Sequence, residues 1–292
     1  MLSLDEKKIR KGKPVGLPYV GSKKKISKKI VEIIKQNFGA DKTVYDVFGG
    51  GGAITAELMI NCIDVVYNDL DKTITDMFNR VINQDREWIK KLIVSRDDFI
   101  KIRDKENKTV DDELKLLVNS FGNNRKGYLY SENYSDIKYN LADDIIKKHN
   151  VFSGYKQTPT YKNCLQQPDR LEQLERLQQL QQLQQLQQLE RLEPQKTYNK
   201  DYTVFSNVTG AILYLDPPYE QSDTTSYKSH IDYQYFYDWA VEMSKNNIVL
   251  LSSYEVSDDR FECVYEVKNA RSTLSGGMNG KRTEKLFMVK GK

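Results

Sequence analysis

A glycine-rich turn between a short apolar strand and a helix restricts the fold of this chain more than any other feature. Residues 43–48 predict a buried strand that contains Asp46, and four glycines follow at 49–52. Residues 53–61, AITAELMIN, favour a helix, and 65–67 predict a second short strand. A strand, a glycine turn, a helix and another strand in succession are typical of an open, mostly parallel α/β sheet.

The same alternation returns near the C-terminus. Residues 211–215 form a compact apolar run that ends directly at Asp216, and 246–252, 261–267 and 285–289 also predict strands. One Rossmann-like α/β sheet built from both ends of the chain is the simplest arrangement of these strands.

The residues between these two segments have a different pattern. From about 73 to 161 the chain is charged, and the spacing of its apolar residues is mostly helical. We therefore predict two domains. A sheet domain comprises residues 1–75 and 197–292, and an inserted, mainly helical domain comprises residues 76–196.

A leucine–glutamine repeat occupies about residues 165–193 of the inserted segment. Leucine recurs at every third position from Leu171 to Leu192. A period of three does not match the 3.6-residue turn of an α-helix, so the leucines would not form one apolar stripe. Because Gln, Leu and Glu favour helices, we expect a solvated helix that acts as a spacer or interaction element. A short solenoid and a disordered segment are the alternatives.

The tetrapeptide Asp-Pro-Pro-Tyr at 216–219 carries the clearest chemical signal. Ligands of open α/β sheets bind beyond the carboxyl ends of the strands, so Asp216 is expected in the site. Pro217 and Pro218 stiffen the turn. The Asp216 carboxylate and the Pro217 carbonyl are acceptors for an exocyclic amine, and Tyr219 offers a ring for stacking on a base. A base inside a duplex is unreachable, so this pocket implies base flipping or a single-stranded target.

The glycine turn is a candidate cofactor site. Its glycines let a ligand approach the backbone, and Asp69 follows the next strand, where a carboxylate binds ribose hydroxyls in nucleotide-binding sheets. Taken alone, this pair also fits a nicotinamide cofactor, or a tight turn with a surface carboxylate. Together with Asp216 and Tyr219, it favours a ligand that contains a nucleoside.

The amino-acid composition bears on the kinds of site and partner that the chain can have. Two histidines and three cysteines, with no CxxC pair, provide no recognisable metal-ligand set, so we expect no metal. No apolar run approaches the length of a membrane span, so no membrane partner is expected, and unpaired thiols indicate a reducing cytoplasm. The net charge is only +4, but basic residues are dense at 7–29, where they would attract phosphates or simply form a solvated helix face.

Several short motifs resemble those of the DNA adenine methylases, in particular Dam-like enzymes of the α-group with a DPPY tetrapeptide. In chain order, the matching segments are 18–23 (PYVGSK), 46–52 (DVFGGGG), 68–69 (ND), 199–202 (NKDY), 216–219 (DPPY), 271–273 (RST) and 283–287 (TEKLF). The resemblance implies a Rossmann-like methyltransferase sheet that binds S-adenosylmethionine. It also implies that the inserted domain recognises the target.

The resemblance further implies an activity, which is transfer of the methyl group of S-adenosylmethionine to N6 of a flipped-out adenine in double-stranded DNA. The residues that it assigns to catalysis are Asp216, Pro217, Pro218 and Tyr219. The residues that it assigns to the cofactor are Tyr19, Lys23, Asp46, Phe48, Gly50, Gly52, Asp69, Asp201 and Asp216. A cognate restriction endonuclease is left open as a second partner.

Four residues of the inserted domain mix cations with aromatic rings. They are Arg125, Lys126, Tyr128 and Tyr130. We predict that they contact DNA, and an ordinary charged hairpin is the alternative. The comparable stretch at 120–125, SFGNNR, lacks the full set of residues typical of GATC-specific relatives, so GATC specificity is not implied.

Three other functions are alternatives on the sequence alone. N4-cytosine methyltransferases usually begin the tetrapeptide with Ser, and glutamine methyltransferases of release factors with Asn, so Asp216 speaks against both. A non-catalytic DNA-binding relative is the other alternative. Such a protein would have no need for the glycine turn in combination with Asp216 and Tyr219.

Overall fold

The computed structural model describes residues 1–19, 22–165, 176–190, 192, 194, 196–220, 231–267 and 283–292. Three of the sequence predictions lie partly or wholly outside these residues. They concern positions 20–21 of the PYVGSK segment, the RST segment at 271–273, and positions 166–175, 191 and 193 of the leucine–glutamine repeat.

Among the described residues, seven strands form one mixed sheet. Their bounds are Val44–Asp46 (β1), Val65–Asn68 (β2), Lys196–Tyr198 (β3), Ile212–Leu215 (β4), Ile248–Ser253 (β5), Phe261–Val267 (β6) and Glu284–Val289 (β7). The order across the sheet is β3-β2-β1-β4-β5-β7-β6. Strands β1 to β5 pair in parallel, and β7 runs antiparallel between β5 and β6. The predicted α/β sheet, built from both ends of the chain, is confirmed.

The helices of the described residues are numbered in chain order. Their bounds are Ser27–Phe38 (α1), Ala53–Ile60 (α2), Lys72–Ile82 (α3), Arg86–Lys90 (α4), Arg96–Arg103 (α5), Val110–Val118 (α6), Glu132–His149 (α7), Pro159–Leu165 (α8), Gln178–Gln187 (α9) and Tyr233–Met243 (α10).

Two hydrophobic clusters cover opposite faces of the sheet. Ile212 and Tyr214 of β4 enter the cluster that α1 and α2 build, whereas Leu213 and Leu215 enter the cluster that α10 builds. Because successive residues of a strand point to opposite faces, a strand covered on both faces is a continuous apolar run. This burial explains why residues 211–215 are uniformly apolar up to Asp216.

The chain divides into two compact units. The first comprises residues 1–14, 23–75 and 192–292 and holds the whole sheet, and the second comprises residues 15–22 and 76–191. This division differs from the predicted boundaries in residues 15–22, which group with the second unit, and in residues 192–196, which group with the first. That the second unit recognises the methylation target remains a prediction.

The leucine–glutamine repeat is not the solvated helix that its sequence favours. Part of it does form helix α9, but the leucines within and directly beside that helix are wholly buried: Leu177, Leu180, Leu183, Leu186 and Leu189. Helices α4, α6 and α7 all contact α9. Leucines at a spacing of three spread around a helix, and neighbours on several sides cover them. The prediction that this helix is exposed to solvent was therefore wrong. It assumed that a helix packs on one face only, whereas neighbours cover several faces of α9.

Candidate active site

Three acidic side chains stand at the carboxyl ends of adjacent strands. Asp46 is the last residue of β1, Asp69 directly follows β2, and Asp216 directly follows β4. In the sheet, β1 lies between β2 and β4, and all three strands are parallel. Their carboxyl ends therefore meet at one edge, where open α/β sheets bind their ligands.

The glycine turn after β1 packs tightly against β2. Gly50 and Gly52 have φ angles of 49° and 68°, in the left-handed region that glycine adopts without strain. A Cβ atom on Gly49 would lie 2.4 Å from the ring of Tyr67, and the Tyr67 hydroxyl donates a hydrogen bond of 2.8 Å to the Gly50 carbonyl. The turn thus offers backbone atoms, with no side chains on its glycines, to a ligand at this edge.

Asp69 is bound to this turn from the neighbouring strand. Its Oδ2 accepts a hydrogen bond of 2.8 Å from the backbone N–H of Gly50, and its Oδ1 accepts one of 2.8 Å from the backbone N–H of Asp71. Partial burial raises the pKa of the Asp69 carboxyl to about 6. A carboxylate oxygen has two lone pairs, so both oxygens keep acceptor capacity for hydroxyl groups.

Asp46 is wholly buried at the end of β1. Its Oδ2 accepts hydrogen bonds from the backbone N–H of Thr55 at 3.1 Å and from the Thr55 hydroxyl at 2.6 Å. Its Oδ1 is buried with no hydrogen-bond partner among the described residues. Burial raises the pKa of the carboxyl to about 7, and the charges of Asp216 and Asp69 act in the same direction. An unsatisfied buried carboxylate oxygen indicates a site for a donor or a cation.

A lysine from the N-terminal part of the chain holds Asp216. Lys23 Nζ lies 2.7 Å from Asp216 Oδ1 and donates a hydrogen bond of 2.6 Å to the Tyr219 hydroxyl. Burial raises the pKa of Asp216 to about 6, and the Lys23 ammonium opposes that rise. Asp216 is therefore mostly ionised above pH 7, beside a fixed cation and a fixed phenol.

Glu284 is a fourth acidic residue of the site, to which the sequence prediction gave no role. It begins β7, and its Oε1 accepts hydrogen bonds from the Tyr219 hydroxyl at 2.5 Å and from Ser252 Oγ at 2.6 Å. The same oxygen lies 3.8 Å from Lys23 Nζ. The available sequence signal was its place in the TEKLF segment, which resembles the closing segment of the adenine methylases.

Further contacts hold the tetrapeptide in place. The Tyr233 hydroxyl, at the start of α10, donates a hydrogen bond to the Pro218 carbonyl. The ring of Tyr254 meets the ring of Tyr219 edge to face, with 4.6 Å between the ring centroids. The direction of the Tyr219 side chain is thus determined by packing as well as by its hydroxyl partners.

Other residues predicted to contact a cofactor have different surroundings. Phe48 packs against the rings of Tyr202 and Phe236, with centroid distances of 5.9 and 5.8 Å. Asp201 is exposed, and its Oδ1 caps the short 3-10 helix that follows it. Tyr19 is half-buried and belongs to the second unit. For these three residues, contact with a cofactor remains a prediction.

The sequence of the chain matches one known protein family over most of its length. A model of the D12 class N6 adenine-specific DNA methyltransferases matches residues 19–245, which include the glycine turn, Asp69 and the tetrapeptide. The chain belongs to this family. It is accordingly an adenine-specific DNA methyltransferase, and the predicted Rossmann-like methyltransferase fold is confirmed.

Two solved structures are similar to this D12-class enzyme along most of its length. One is yhhF of Escherichia coli, provisionally described as a methyltransferase, with 10% identity, coverage of 94% of this chain and 92% of that chain, and a TM-score of 0.35. The other is HI0767 of Haemophilus influenzae, provisionally described as a methylase, with 9% identity, coverage of 91% and 96%, and a TM-score of 0.33. No curated protein matches the chain.

In this D12-class enzyme, the four residues predicted to contact DNA differ in exposure. Tyr130 is buried, and Tyr128 is half-buried with its hydroxyl donating to a backbone carbonyl at 2.8 Å. Arg125 pairs with Glu113 at 2.9 Å, and Lys126 is exposed. The two tyrosines thus pack within their own unit, and a role of all four residues in DNA binding remains a prediction.

Among the residues that the structure describes, no group of three or more His, Cys, Asp or Glu side chains is arranged to hold a metal ion. None of the described helices combines the length and the hydropathy needed to cross a membrane. The cysteines, Cys62, Cys164 and Cys263, are free thiols.

Proposed function

We propose that this D12-class enzyme is a Dam-like methyltransferase that transfers the methyl group of S-adenosylmethionine to N6 of a flipped-out adenine in double-stranded DNA. The observation that carries the proposal is the Asp216–Tyr219 tetrapeptide, which Lys23 holds at the sheet edge that also bears the glycine turn. A base-binding carboxylate and a cofactor-binding turn at one edge support a reaction between their two ligands.

The charges and the backbone at this edge fit S-adenosylmethionine. Burial raises the pKa values of Asp46 and Asp69, and a ligand that carries an ammonium and a sulfonium would favour their ionised forms. The Asp46 oxygen without a partner is an acceptor for such a ligand, and Gly50 and Gly52 allow close backbone approach. When bound, the cofactor supplies a methyl group on a positively charged leaving group. Lys23, Asp46 and Asp69 are our main candidates for holding it.

Asp216 is the proposed acceptor for the adenine amino group. Its carboxylate accepts one N6–H hydrogen bond and the Pro217 carbonyl accepts the other, so the nitrogen lone pair is directed towards the methyl donor. Because its pKa is about 6, Asp216 carries a full negative charge at slightly alkaline pH. That charge stabilises the positive charge that develops on N6 during the transfer. A strong protein base is not required before the methyl group moves.

Tyr219 is the proposed stacking surface for the target base. An adenine in a duplex is out of reach of Asp216, so the base has to leave the stack, at a cost of a few kcal/mol. A stacking partner already fixed by Tyr254, Lys23 and Glu284 loses little conformational freedom when the base arrives.

We propose that the helical unit, residues 15–22 and 76–191, recognises the DNA target. Support comes from the loop that carries Arg125 and Lys126, since Lys126 is exposed and cations on loops position a protein on phosphates. In a restriction–modification pair, the partner would be an endonuclease that cuts the same sequence, and both enzymes would act in the cytoplasm.

Tritium transfer from labelled S-adenosylmethionine to unmethylated genomic DNA, followed by nucleoside analysis, tests the proposal. We expect label in N6-methyladenine for wild type and a rate at least about 100-fold lower for D216A. A matched control is D64N, because Asp64 is an exposed carboxylate at the opposite end of β2.

Each other outcome overturns a specific part of the proposal. Label in N4-methylcytosine would mean that the substrate base is cytosine and not adenine. Cofactor binding without transfer to any DNA would favour a non-catalytic DNA-binding relative. Full activity of D216A would remove the tetrapeptide from the mechanism.

A further inference from the structure

Glu284 forms a buried acidic centre behind the tetrapeptide. Only 4% of this residue is exposed, and its Oε1 contacts Tyr219, Ser252 and Lys23 at 2.5, 2.6 and 3.8 Å. The family match ends at residue 245, so it assigns nothing to this position. A carboxylate that is removed from water needs compensation, and here the compensating groups are residues of the proposed catalytic site.

The Tyr219 hydroxyl has one proton to donate, and two carboxylates compete for it. Glu284 Oε1 lies at 2.5 Å from the hydroxyl oxygen, whereas Asp216 Oδ1 lies at 3.4 Å. A hydrogen bond at the shorter distance is much the stronger, so the proton is donated to Glu284. Lys23 donates to the same hydroxyl oxygen at 2.6 Å.

This direction of the Tyr219 hydrogen bond matters for Asp216. If the tyrosine proton were donated to Asp216, one acceptor site of the carboxylate would be occupied when adenine arrives. By accepting the hydrogen bond of the Tyr219 hydroxyl, Glu284 keeps that hydroxyl from occupying the Asp216 carboxylate. It also anchors the phenol, so that the ring keeps the orientation in which Tyr254 packs against it.

We propose that Glu284 is a positioning residue for methyl transfer: it accepts the hydrogen bond of the Tyr219 hydroxyl and so leaves Asp216 available to the target amino group. The inference rests on the proposed roles of Asp216 and Tyr219. Ser252 is the second anchor, because its hydroxyl donates to the same Glu284 oxygen and holds the carboxylate in one rotamer.

A purely structural role makes a different prediction for the conservative substitution. A glutamine at position 284 keeps an acceptor oxygen for both hydroxyls but carries no charge. If Glu284 only satisfied buried hydroxyls, E284Q would be as active as wild type. If it directs the Tyr219 proton, a neutral acceptor competes less well with the charged Asp216, and transfer slows.

The experiment measures the single-turnover rate of methyl transfer to DNA at saturating S-adenosylmethionine and DNA. We expect E284Q to be about 10-fold slower and E284A about 100-fold slower, with cofactor KM changed less than about twofold. The matched control is E32Q, since Glu32 is also 4% exposed and lies in the same unit, on α1. We expect wild-type activity from E32Q. Thermal melts of all variants establish that they are folded.

Two measurements distinguish a positioning role of Glu284 from a purely structural role, even if E284A fails to fold. In a double-mutant cycle, E284Q should slow the Y219F enzyme less than about twofold, because the hydroxyl through which it acts is gone. The pH at half-maximal rate should also move down in E284Q, since the Glu284 charge raises the pKa of Asp216. The other titratable groups that act on Asp216 are Lys23, Tyr219, Asp46 and Tyr214, and these stay unchanged in E284Q.

The results that would overturn the inference differ from those that would overturn the proposed function. Wild-type rates and an unmoved pH profile in E284Q, or fully multiplicative losses in the double mutant, reject the positioning role. A wild-type enzyme that leaves no label in N6-methyladenine rejects the proposed function, and the inference with it.

Discussion

Lys23 and Asp216 form an ion pair in which Lys23 Nζ lies 2.7 Å from Asp216 Oδ1, with side chains only 12% and 14% exposed. Lys23 precedes α1, whereas Asp216 follows β4, so the pair joins distant parts of the chain. Because little water reaches the two groups, their attraction is screened less than that of a surface pair. The lysine thereby keeps Asp216 in its ionised form, which is the form proposed to accept the adenine amino group.

Replacing Lys23 with methionine should move the pH profile of methyl transfer. The ammonium lowers the pKa of Asp216, so K23M raises that pKa above about 6. Since transfer needs the carboxylate, the rate of K23M should reach its half-maximum at higher pH than that of wild type. At pH 7 we expect a loss of roughly 100-fold, partly recovered at alkaline pH. Single-turnover rates from about pH 5 to about pH 9 measure the shift.

The matched variant for this prediction is K23R, which keeps the positive charge. We expect its half-maximal pH to stay near that of wild type, although its rate falls because a guanidinium differs in shape from an ammonium. Equal pH profiles for K23M and wild type would show that Lys23 does not control the ionisation of Asp216.

The sheet and the acidic edge could be predicted because their signals are local in sequence. Residues 43–69 contain a strand, a glycine turn, a helix and a strand without interruption, and 211–216 is an apolar run that ends in an acid. Strands that are buried on both faces have this uniform composition. The positions of Asp46, Asp69 and Asp216 then follow from where each strand ends.

The remaining features depend on packing between distant segments. The burial of the α9 leucines requires several other helices, and Tyr130 is likewise buried within the helical unit. The proposed role of Glu284 depends on the pairing of β7 with β5, which brings the glutamate to Ser252. No local pattern of residues contains that information.

Asp46 should make both stability and cofactor affinity depend on pH. Burial raises its pKa from 3.8 to about 7, so between these values the folded protein binds this proton more tightly than the unfolded chain does. The contribution of Asp46 to stability therefore decreases as pH rises through that window. D46N carries no charge, and we expect it to be more stable than wild type at pH 8 by roughly 2 kcal/mol. Urea unfolding at pH 5 and pH 8 measures the difference.

The same substitution should weaken cofactor binding. A cationic ligand favours ionised Asp46, so wild-type affinity for S-adenosylmethionine should increase by about 10-fold between pH 5.5 and pH 8. In D46N that dependence should be much smaller, and the affinity at pH 8 lower. Calorimetry in buffers of different ionisation enthalpy also reports the proton release. An affinity independent of pH in wild type would remove Asp46 from the cofactor site.

Gly49 should tolerate no side chain. A Cβ atom there would lie 2.4 Å from the ring of Tyr67, which is wholly buried and has no room to retreat. We expect G49A to lose about 2 kcal/mol of unfolding free energy and most of its cofactor affinity. G127A is the control, because nothing lies within 4 Å of a Cβ atom at that exposed glycine. Equal stability of the two variants would contradict the tight packing of the turn.

The burial of the α9 leucines predicts that substitutions at nearby positions of the repeat differ greatly in their effect on the free energy of unfolding. Leu183 is wholly buried, whereas Gln181, two residues earlier, is exposed. Truncation of a buried leucine leaves a cavity, so L183A should destabilise the helical unit by about 3 kcal/mol. Q181A removes no buried contact and should change stability by less than about 0.5 kcal/mol.

Urea unfolding followed by far-ultraviolet circular dichroism distinguishes the two variants. If the repeat were the solvated spacer that its period of three suggests, L183A and Q181A would have equal effects. A large loss in L183A alone means that the repeat is part of the core of the helical unit. The target recognition proposed for that unit would then depend on these leucines through its stability, although none of them would contact DNA.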